Sequence, residues 1–527
     1  MTQTSVAVLP EAGERVDDRV GQDHWRWRVE VVLLMVVVTA AVAHRLHLLV
    51  TTDFPINDGG AFVPYIEAST QNFPGLPESV GYNGLQLPFA YPPLGFWISG
   101  LLGKLGVGAE AVMLVLPILM NAVWIVLLAL LLLRDGHSRL FTAATVAALA
   151  VMFRSYEWLV MGGGLTRGLG AIFLVLTLLA LGGTRRREEP ALTLRAAALA
   201  GLCVGGAILS HLEWGVLAVA SLVAQRALCS RSVKSFVVTT TVAGGAAALL
   251  VVPWVLLVVS RHGLEPFLSA AGTSAWNFPE TVGRLTGFAR AQWPNLLLGV
   301  GGAVLLVRRH LFWPVFVVLA VVLTPRHSLT PLVLPVSYLT VTGLEAVILM
   351  VRRALPRWRE LTELATVSAL AIVAVAGSYV AFERSRAISP LWQPLSVDVR
   401  AGMAWVRENH PETAFAVVTD PPWYYDGTAE WFPALSNATS STTVQGTEWL
   451  PGNAFRQREE DVTRIKLAPD CEELVQRTVE LSPVRFVWTQ TRSQCFESSG
   501  FTRVFSNPEV SIFEVPAVLG ISDPPGA

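Results

Sequence analysis

The feature that most constrains this chain is a series of long apolar blocks, which begins at residue 29 and recurs to about residue 380. The blocks 29–50, 111–133 and 237–259 each contain at most two charged residues. An α-helix rises ~1.5 Å per residue, so about 20 apolar residues cross a hydrocarbon core of ~30 Å. Charged residues make up 15 % of the chain, against about 25 % in soluble domains. The pattern predicts a polytopic α-helical membrane protein.

Basic residues between the apolar blocks predict how the helices are oriented. They cluster at 26–28, 134–139, 185–187, 226–234, 308–309 and 352–359. Short loops rich in Lys and Arg lie in the cytoplasm, so spans between these clusters must come in pairs. We therefore predict about eleven transmembrane helices, at 29–50, 109–133, 140–158, 165–183, 193–210, 212–228, 235–259, 295–307, 311–324, 331–350 and 362–382. This topology divides the chain into a cytoplasmic segment, a transmembrane domain and an extracytoplasmic domain, at 1–28, 29–382 and 383–527.

One further apolar stretch, 91–105, is expected to lie on the outer membrane surface rather than to cross the bilayer. A span here would leave an odd number of crossings between two basic clusters that both face the cytoplasm. The stretch is also short for a span, opens on Pro92-Pro93 and is interrupted by glycines. We therefore predict an ordered external loop over 51–108 that carries a juxtamembrane helix.

The tail has the alternation of a small α/β domain. Residues 397–409 have helical spacing, 415–419 and 484–488 indicate buried strands, and 501–515 indicate a terminal hairpin. Cys471 and Cys495 both fall in this part of the chain. An extracytoplasmic compartment is oxidising, which favours a disulfide between them, and two unpaired, partly buried thiols are the alternative.

Charged side chains next to the predicted spans gather on the outer side of the membrane. A charge at mid-bilayer costs ~2.5–3.5 kcal/mol on insertion scales, so charges beside spans need a reason to be there. The residues concerned are Asp53, Asp58, Arg154, Arg167, His211, Glu213 and Arg326. Their common side makes them candidates for one functional site.

Three motifs in the first external loop carry a family resemblance. Residues 54–62, 82–84 and 88–96 read FPINDGGAF, YNG and PFAYPPLGF. They resemble the bacterial GT-C-type integral membrane glycosyltransferases, which are related to protein O-mannosyltransferases and lipid A aminoarabinose transferases. The resemblance covers about 29–350. Tail segments 429–435 and 445–449 also resemble the C-terminal domain of one bacterial branch.

The resemblance implies transfer of a sugar from a polyprenyl-phosphate donor to an extracytoplasmic acceptor, which could be a glycan, a lipid or a protein. Asp58, with Asp53 as a second candidate, would take the acceptor proton as the new bond forms. Cationic and polar groups would bind the departing phosphate and the substrates. The candidates for substrate binding are Arg154, Arg167, His211, Glu213, Arg326 and Tyr91.

Two positions depart from the family pattern. Better-studied members often pair the acid with an adjacent second acid, whereas Gly59 follows Asp58 here. They also often carry Lys or His before the Pro-rich motif, where this chain has Tyr91. No cofactor is therefore expected and no metal ligands are assigned, and a divalent metal stays open.

Each candidate residue also has a structural interpretation. Asp58 fits a helix cap or a structural ion pair as well as a base. Arg154 and Arg167 fit interfacial residues whose charged ends reach water. His211 and Glu213 fit a stabilised turn or half of a metal site. The tail aromatics fit either a core or a sugar-binding surface, and they are Trp423, Tyr424, Tyr425, Trp431, Phe432 and Trp449.

Three functions compete for the whole chain. The first is a multi-pass glycosyltransferase of the bacterial plasma membrane with a cytoplasmic N-terminus. The second is a non-catalytic scaffold of the same fold in cell-envelope polysaccharide assembly. The third, a transporter, is disfavoured because acids and bases gather at the outer face rather than in mid-span. A net charge of −1 gives no field that would attract nucleic acid.

Overall fold

The structure is a computed structural model that describes residues 14–184, 193–230, 232–273, 278–306, 311–325, 329–354, 392–482 and 484–516. Its N-terminal part is helical. The helices are α1 (Glu14–Leu46), α2 (Leu48–Thr51), α3 (Phe62–Asn72), α4 (Leu94–Lys104), α5 (Ala109–Arg134), α6 (Arg139–Val151), α7 (Gly164–Ala180), α8 (Leu194–Ser210), α9 (Leu212–Cys229), α10 (Val233–His262), α11 (Glu265–Thr273), α12 (Phe278–Ala291), α13 (Trp293–Leu306), α14 (Phe312–Leu323) and α15 (Leu329–Ala354). Arg326 and the predicted span 362–382 lie outside the described residues.

Apolar helices dominate this part of the chain. Among the residues that the structure describes, five helices are long and apolar enough to cross a membrane, namely Trp27–Thr51, α5, α9, α10 and most of α15. The shorter apolar helices α6, α7, α8, α13 and α14 accompany them. These helices coincide with the predicted spans from 29–50 to 331–350, and the chain is a multi-pass membrane protein. The count of about eleven spans stays a prediction.

The predicted span 140–158 ends earlier than its apolar character indicated. Helix α6 ends at Val151 and a 3-10 turn follows. The buried guanidinium of Arg45 donates hydrogen bonds to Asn121 Oδ1 and Ser155 Oγ, and Asn121 Nδ2 donates to the Ser155 carbonyl oxygen. Side chains from α1 and α5 therefore bind the polar groups of the turn, which keeps the chain out of a continuous helix.

The first external loop is ordered, with helices α3 and α4 around a hairpin of β1 (Ser79–Tyr82) and β2 (Leu85–Pro88). Helix α4 has 11 residues, which is about half of the length that crosses a bilayer. Its glycines allow close packing on α3, since a Cβ atom at Gly100 would lie 2.9 Å from the Ser69 carbonyl oxygen. These features support the predicted juxtamembrane position. Residues 261–294 contain α11 and α12, two helices that were not predicted from the sequence.

The C-terminal domain is a mixed sheet with helices around it. Its elements are α16 (Val397–Asn409), β3 (Ala414–Val418), α17 (Gly427–Ser436), β4 (Thr439–Ser440), α18 (Ala454–Lys466), α19 (Cys471–Leu481), β5 (Phe486–Thr489), α20 (Ser493–Ser498), β6 (Thr502–Ser506) and β7 (Ser511–Glu514). The strand order is β4-β3-β5-β7-β6. Strand β3 pairs in parallel with β4 and β5, and β7 pairs antiparallel with β5 and β6. A disulfide joins Cys471 of α19 to Cys495 of α20.

The first external loop is docked on the C-terminal domain. Ile56 forms an antiparallel bridge with Pro394. The rings of Phe54 and Trp431 are 4.6 Å apart between centroids, and the Trp431 indole donates a 2.7 Å hydrogen bond to the Asn57 carbonyl oxygen. One apolar core cluster contains side chains from both parts. The position of the loop that carries Asp58 therefore depends on the C-terminal domain.

Candidate functional site

A cavity of about 1170 Å³ lies between the outer ends of the helices and the C-terminal domain. Its walls come from the first external loop, from the outer ends of α7, α9, α11, α12, α14 and α15, and from the C-terminal domain. Six residues that the sequence proposed as site residues line it, namely Asp58, Tyr91, Arg154, Arg167, His211 and Glu213. Pro325 and Leu329, on either side of the undescribed Arg326 segment, also line it.

Asp58 is held at the cavity wall by both oxygens of its buried carboxylate. Oδ1 accepts a hydrogen bond of 2.8 Å from the backbone N–H of Gly163. Oδ2 accepts one of 2.9 Å from Arg167, whose guanidinium lies over the ring of Trp158 at 4.9 Å. The helix-cap interpretation is wrong, because α3 begins at Phe62 and the carboxylate is directed towards α7 instead. The ion-pair interpretation agrees with this geometry, and a carboxylate in this pair still lines the cavity.

Glycines in the turn before α7 let this loop approach. A Cβ atom at Gly162 would lie 2.1 Å from the Asp58 carbonyl oxygen, and one at Gly163 would lie 2.4 Å from Asp58 Oδ2. Gly162 also donates its N–H to the Ile56 carbonyl oxygen at 3.1 Å. Gly164 packs against the backbone of Leu159, where an added Cβ atom would lie 2.3 Å from the carbonyl oxygen. The absence of a side chain at Gly162 and Gly163 leaves room for the loop that carries Asp58.

Two arginines that line the cavity form ion pairs with carboxylates. Arg154 forms an ion pair with the buried Glu157, and Arg284 of α12 forms one with Glu280. A guanidinium has five N–H donors, so one that holds a carboxylate can bind a phosphate as well. Arg284 was not among the predicted residues, because α12 lies in a segment without a long apolar run.

Glu430 is the main site residue that sequence reasoning missed. It lies on α17, and its buried Oε1 accepts hydrogen bonds from the backbone N–H groups of Gly59 (2.9 Å) and Ala61 (3.4 Å). Burial, together with the negative charge of Asp58, raises the pKa of Glu430 to about 8. The segment 429–435 stood out only as a resemblance, and no local pattern connects it to residues some 370 positions earlier.

Asp53 lies outside the cavity, and its position does not support a role for it in catalysis. Its side chain is 64 % exposed and forms an ion pair with Arg400 of α16. His211 and Glu213 sit in the turn between α8 and α9, at the cavity wall. Within the part of the chain that the structure describes, no group of three or more His, Cys, Asp or Glu side chains is placed to hold a metal ion.

The tail aromatics divide between the core and the cavity. Trp431 and Phe432 are buried in the core shared with the first external loop. Trp423, Tyr424, Tyr425 and Trp449 line the cavity on the side of the C-terminal domain. There Tyr425 stacks on Trp158 with 5.6 Å between ring centroids. Arginines and these aromatic side chains thus line the same cavity, and the two groups meet at Trp158, which contacts both the Arg167 guanidinium and the Tyr425 ring.

Solved structures of similar fold are membrane glycosyltransferases. The archaeal oligosaccharyltransferase AglB of Archaeoglobus fulgidus, solved with an inhibitory peptide and a dolichol-phosphate, superposes with a TM-score of 0.56 at 12 % identity, over 90 % of this chain and 70 % of its own. ArnT of Cupriavidus metallidurans, bound to undecaprenyl phosphate, gives 0.55 at 14 % identity, over 94 % and 98 %. The mycobacterial arabinofuranosyltransferase AftD gives 0.50 at 17 % identity, over 91 % of this chain and 40 % of AftD.

These similarities establish the fold. The chain is a multi-pass membrane protein with a C-terminal domain, and it has the fold of the GT-C glycosyltransferases. No protein-family model matches the sequence, and a search among curated proteins finds no relative. At 12–17 % identity the likeness carries the fold and leaves the reaction to be argued from the site.

Proposed function

We propose that the protein transfers a sugar from a polyprenyl-phosphate donor to an extracytoplasmic acceptor, with Asp58 as the general base. The observation that carries this proposal is the placement of the Asp58 carboxylate, oriented by Gly163 and Arg167 at the wall of a cavity between membrane and C-terminal domain. The undecaprenyl phosphate and dolichol-phosphate in the structures of similar fold support a donor of this class.

The cavity provides an environment for each part of such a donor. The apolar side chains of Val216, Phe267 and Leu323 line it between membrane helices, where a polyprenyl chain can lie. Arg154 and Arg284 line the same cavity and are suited to the phosphate. Arg326 follows Pro325 in the sequence, and we propose it as a further phosphate ligand.

In the proposed reaction an acceptor oxygen or nitrogen attacks the anomeric carbon on the face opposite the phosphate. The new glycosidic bond forms as the bond between the anomeric carbon and the phosphate oxygen breaks. The bonding electrons leave with the polyprenyl phosphate, and the acceptor proton moves to Asp58. Each carboxylate oxygen has two lone pairs, so Asp58 can accept this proton while it keeps its bonds to Gly163 and Arg167.

The acceptor is proposed to enter from the side of the C-terminal domain. Trp423, Tyr424 and Trp449 offer flat apolar faces there, and Glu448 and Glu459 offer oxygens that accept hydrogen bonds from hydroxyl groups. His211, Glu213 and Tyr91 complete the wall near Asp58 as substrate-binding residues. We place this side of the protein outside the cytoplasm of a bacterial cell, with the N-terminus inside.

Substitution of the acid tests the proposal. Purified protein is given radiolabelled sugars on undecaprenyl phosphate with a crude envelope extract as acceptor, and Asp58→Asn is compared with Asp53→Asn. Loss of a general base lowers the rate by typically 10²–10⁴-fold, so Asp58→Asn should be nearly inactive while Asp53→Asn transfers normally. Equal transfer by the wild type and Asp58→Asn shows that the base is assigned wrongly. Absence of transfer from every donor favours the scaffold.

A further inference from the structure

We infer that Glu430 of the C-terminal domain is a positioning residue for Asp58 and that it makes transfer dependent on pH. The inference rests on the proposed function, since it concerns the same acid. The Glu430 carboxyl group binds the backbone on both sides of Gly60, through the N–H groups of Gly59 and Ala61. These two hydrogen bonds fix the turn that immediately follows Asp58.

Glycines on both sides of the contact let α17 and the loop that carries Asp58 approach each other closely. A Cβ atom at Gly60 would lie 2.4 Å from the Glu430 carbonyl oxygen and 2.6 Å from the Trp431 Cα atom. On the other side, a Cβ atom at Gly427 would lie 2.8 Å from the Asn57 carbonyl oxygen. Only glycine at these positions lets the two backbones meet. The Glu430 side chain thereby reaches N–H groups that would otherwise be buried without a partner.

A carboxyl group at this position responds to pH, which an amide would not. The charged or titratable groups around Glu430 are Asp58 in the loop, Arg167 on α7, Glu448 in the C-terminal domain and Tyr82 on β1, whose hydroxyl donates to the Glu430 carbonyl oxygen at 2.6 Å. Burial and the nearby acids raise the pKa of Glu430 to about 8. Glu430 therefore keeps its proton to a higher pH than an exposed glutamate does, while Asp58 is paired with Arg167.

Above pH 8 the ionised Glu430 places a second negative charge beside Asp58. The two carboxylates then repel each other and compete for Arg167, which draws Asp58 out of its orientation. The expected consequence is a fall in turnover on the alkaline side, with a midpoint near pH 8. Glu430 also lines the cavity, so kcat and KM are measured separately, and a residue that acts through the position of Asp58 should change kcat more than KM.

The test measures kcat and KM for the donor between pH 6 and pH 9.5 in the full-length protein. Glu430→Gln keeps an oxygen that accepts both N–H bonds, so its kcat at pH 7 should stay within about threefold of the wild type, and the alkaline fall should disappear. Glu430→Ala removes both bonds and should lower kcat at least tenfold at pH 7 with little change in KM. Glu460→Gln, at an exposed position of α18, is the matched control and should keep the wild-type profile.

An alkaline fall with the same midpoint in Glu430→Gln overturns the inference, as does a fully active Glu430→Ala variant. Should no variant transfer sugar, the proposed function fails and the placement of Glu430 is judged by thermal stability instead. Because the pKa of Glu430 in the folded protein lies above that of an exposed glutamate, its bound proton stabilises the fold at low pH, and this contribution is lost as pH rises through 8. The wild type should lose stability relative to Glu430→Gln between pH 6 and pH 9, and a constant difference contradicts the inference.

Discussion

A single methyl group placed between Asp58 and Arg167 would test the site without removing any functional group. Gly163 has φ −65° and ψ −9°, a conformation that alanine adopts without strain. The Cβ atom of Gly163→Ala would lie 2.4 Å from Asp58 Oδ2 and 2.7 Å from Arg167 Nη1. The substitution therefore acts through these two side-chain contacts.

The size of the effect follows from those distances. Non-bonded heavy atoms prefer separations of ~3.5–4.0 Å, so the carboxylate and the guanidinium have to move by roughly 1 Å. A misplacement of about 1 Å at a reacting group lowers the rate by about 10²-fold, which is ~2.7 kcal/mol of transition-state stabilisation. Overpacking of this kind also costs ~1–3 kcal/mol of folding free energy.

The assay is single-turnover transfer from a labelled polyprenyl-phosphate sugar, measured with donor at saturation so that the chemical step is isolated. Thermal unfolding of each preparation in the same detergent shows that the variant is folded. The matched control is Gly245→Ala in α10, where an added Cβ atom meets no described atom within 4 Å. The control should transfer at the wild-type rate and be as stable as the wild type or more so.

A folded Gly163→Ala protein that keeps more than half of the wild-type rate would refute the reasoning. Such a result means that the orientation of Asp58 through Gly163 and Arg167 is not needed for transfer. If Asp58→Asn were inactive at the same time, the carboxylate would be needed but its orientation by Gly163 and Arg167 would not. The two substitutions thus separate the need for the carboxylate from the need for its position.

Two further predictions concern stability. Arg45→Met leaves the partner groups on Asn121 and Ser155 buried without their donor, which costs ~1–3 kcal/mol for each such group. The melting temperature in detergent should therefore fall by several degrees. An unchanged melting temperature would show that the buried network does not hold the turn after α6. Cys471→Ser opens a disulfide that spans 24 positions, which should destabilise the C-terminal domain by about 3 kcal/mol. A wild-type melting curve that does not change when reductant is added would contradict this prediction.

Helix positions could be predicted because their signals are local. Apolar length and flanking basic residues are properties of each segment, and α5 (Ala109–Arg134) lies within one residue of the predicted 109–133. The early end of α6 could not be predicted, since it depends on Arg45 and Asn121 from other helices. The amphipathic helices α11 and α12 were missed because they lack a long apolar run.

The candidate site could be predicted in part for the same reason. Charges at the predicted outer ends of spans are conspicuous in an apolar sequence, and five of them share one cavity. Asp53 and Asp58 look alike in the sequence, and only the fold shows that one faces Arg400 and the other Arg167. Glu430 is one of many acids in the polar tail, and its contact with Gly59 is a property of the tertiary structure alone.

The contact between the loop and the C-terminal domain explains why the two parts form one site. Asp58 is oriented from the membrane side by Gly163 and Arg167, and the backbone that carries it is held from the other side by Glu430 and Trp431. Neither half alone fixes both the side chain and its backbone. Any movement of the C-terminal domain relative to the membrane helices must therefore displace the Asp58 loop. Under the proposed function, an acceptor that binds against the aromatic side chains would influence Asp58 through this contact.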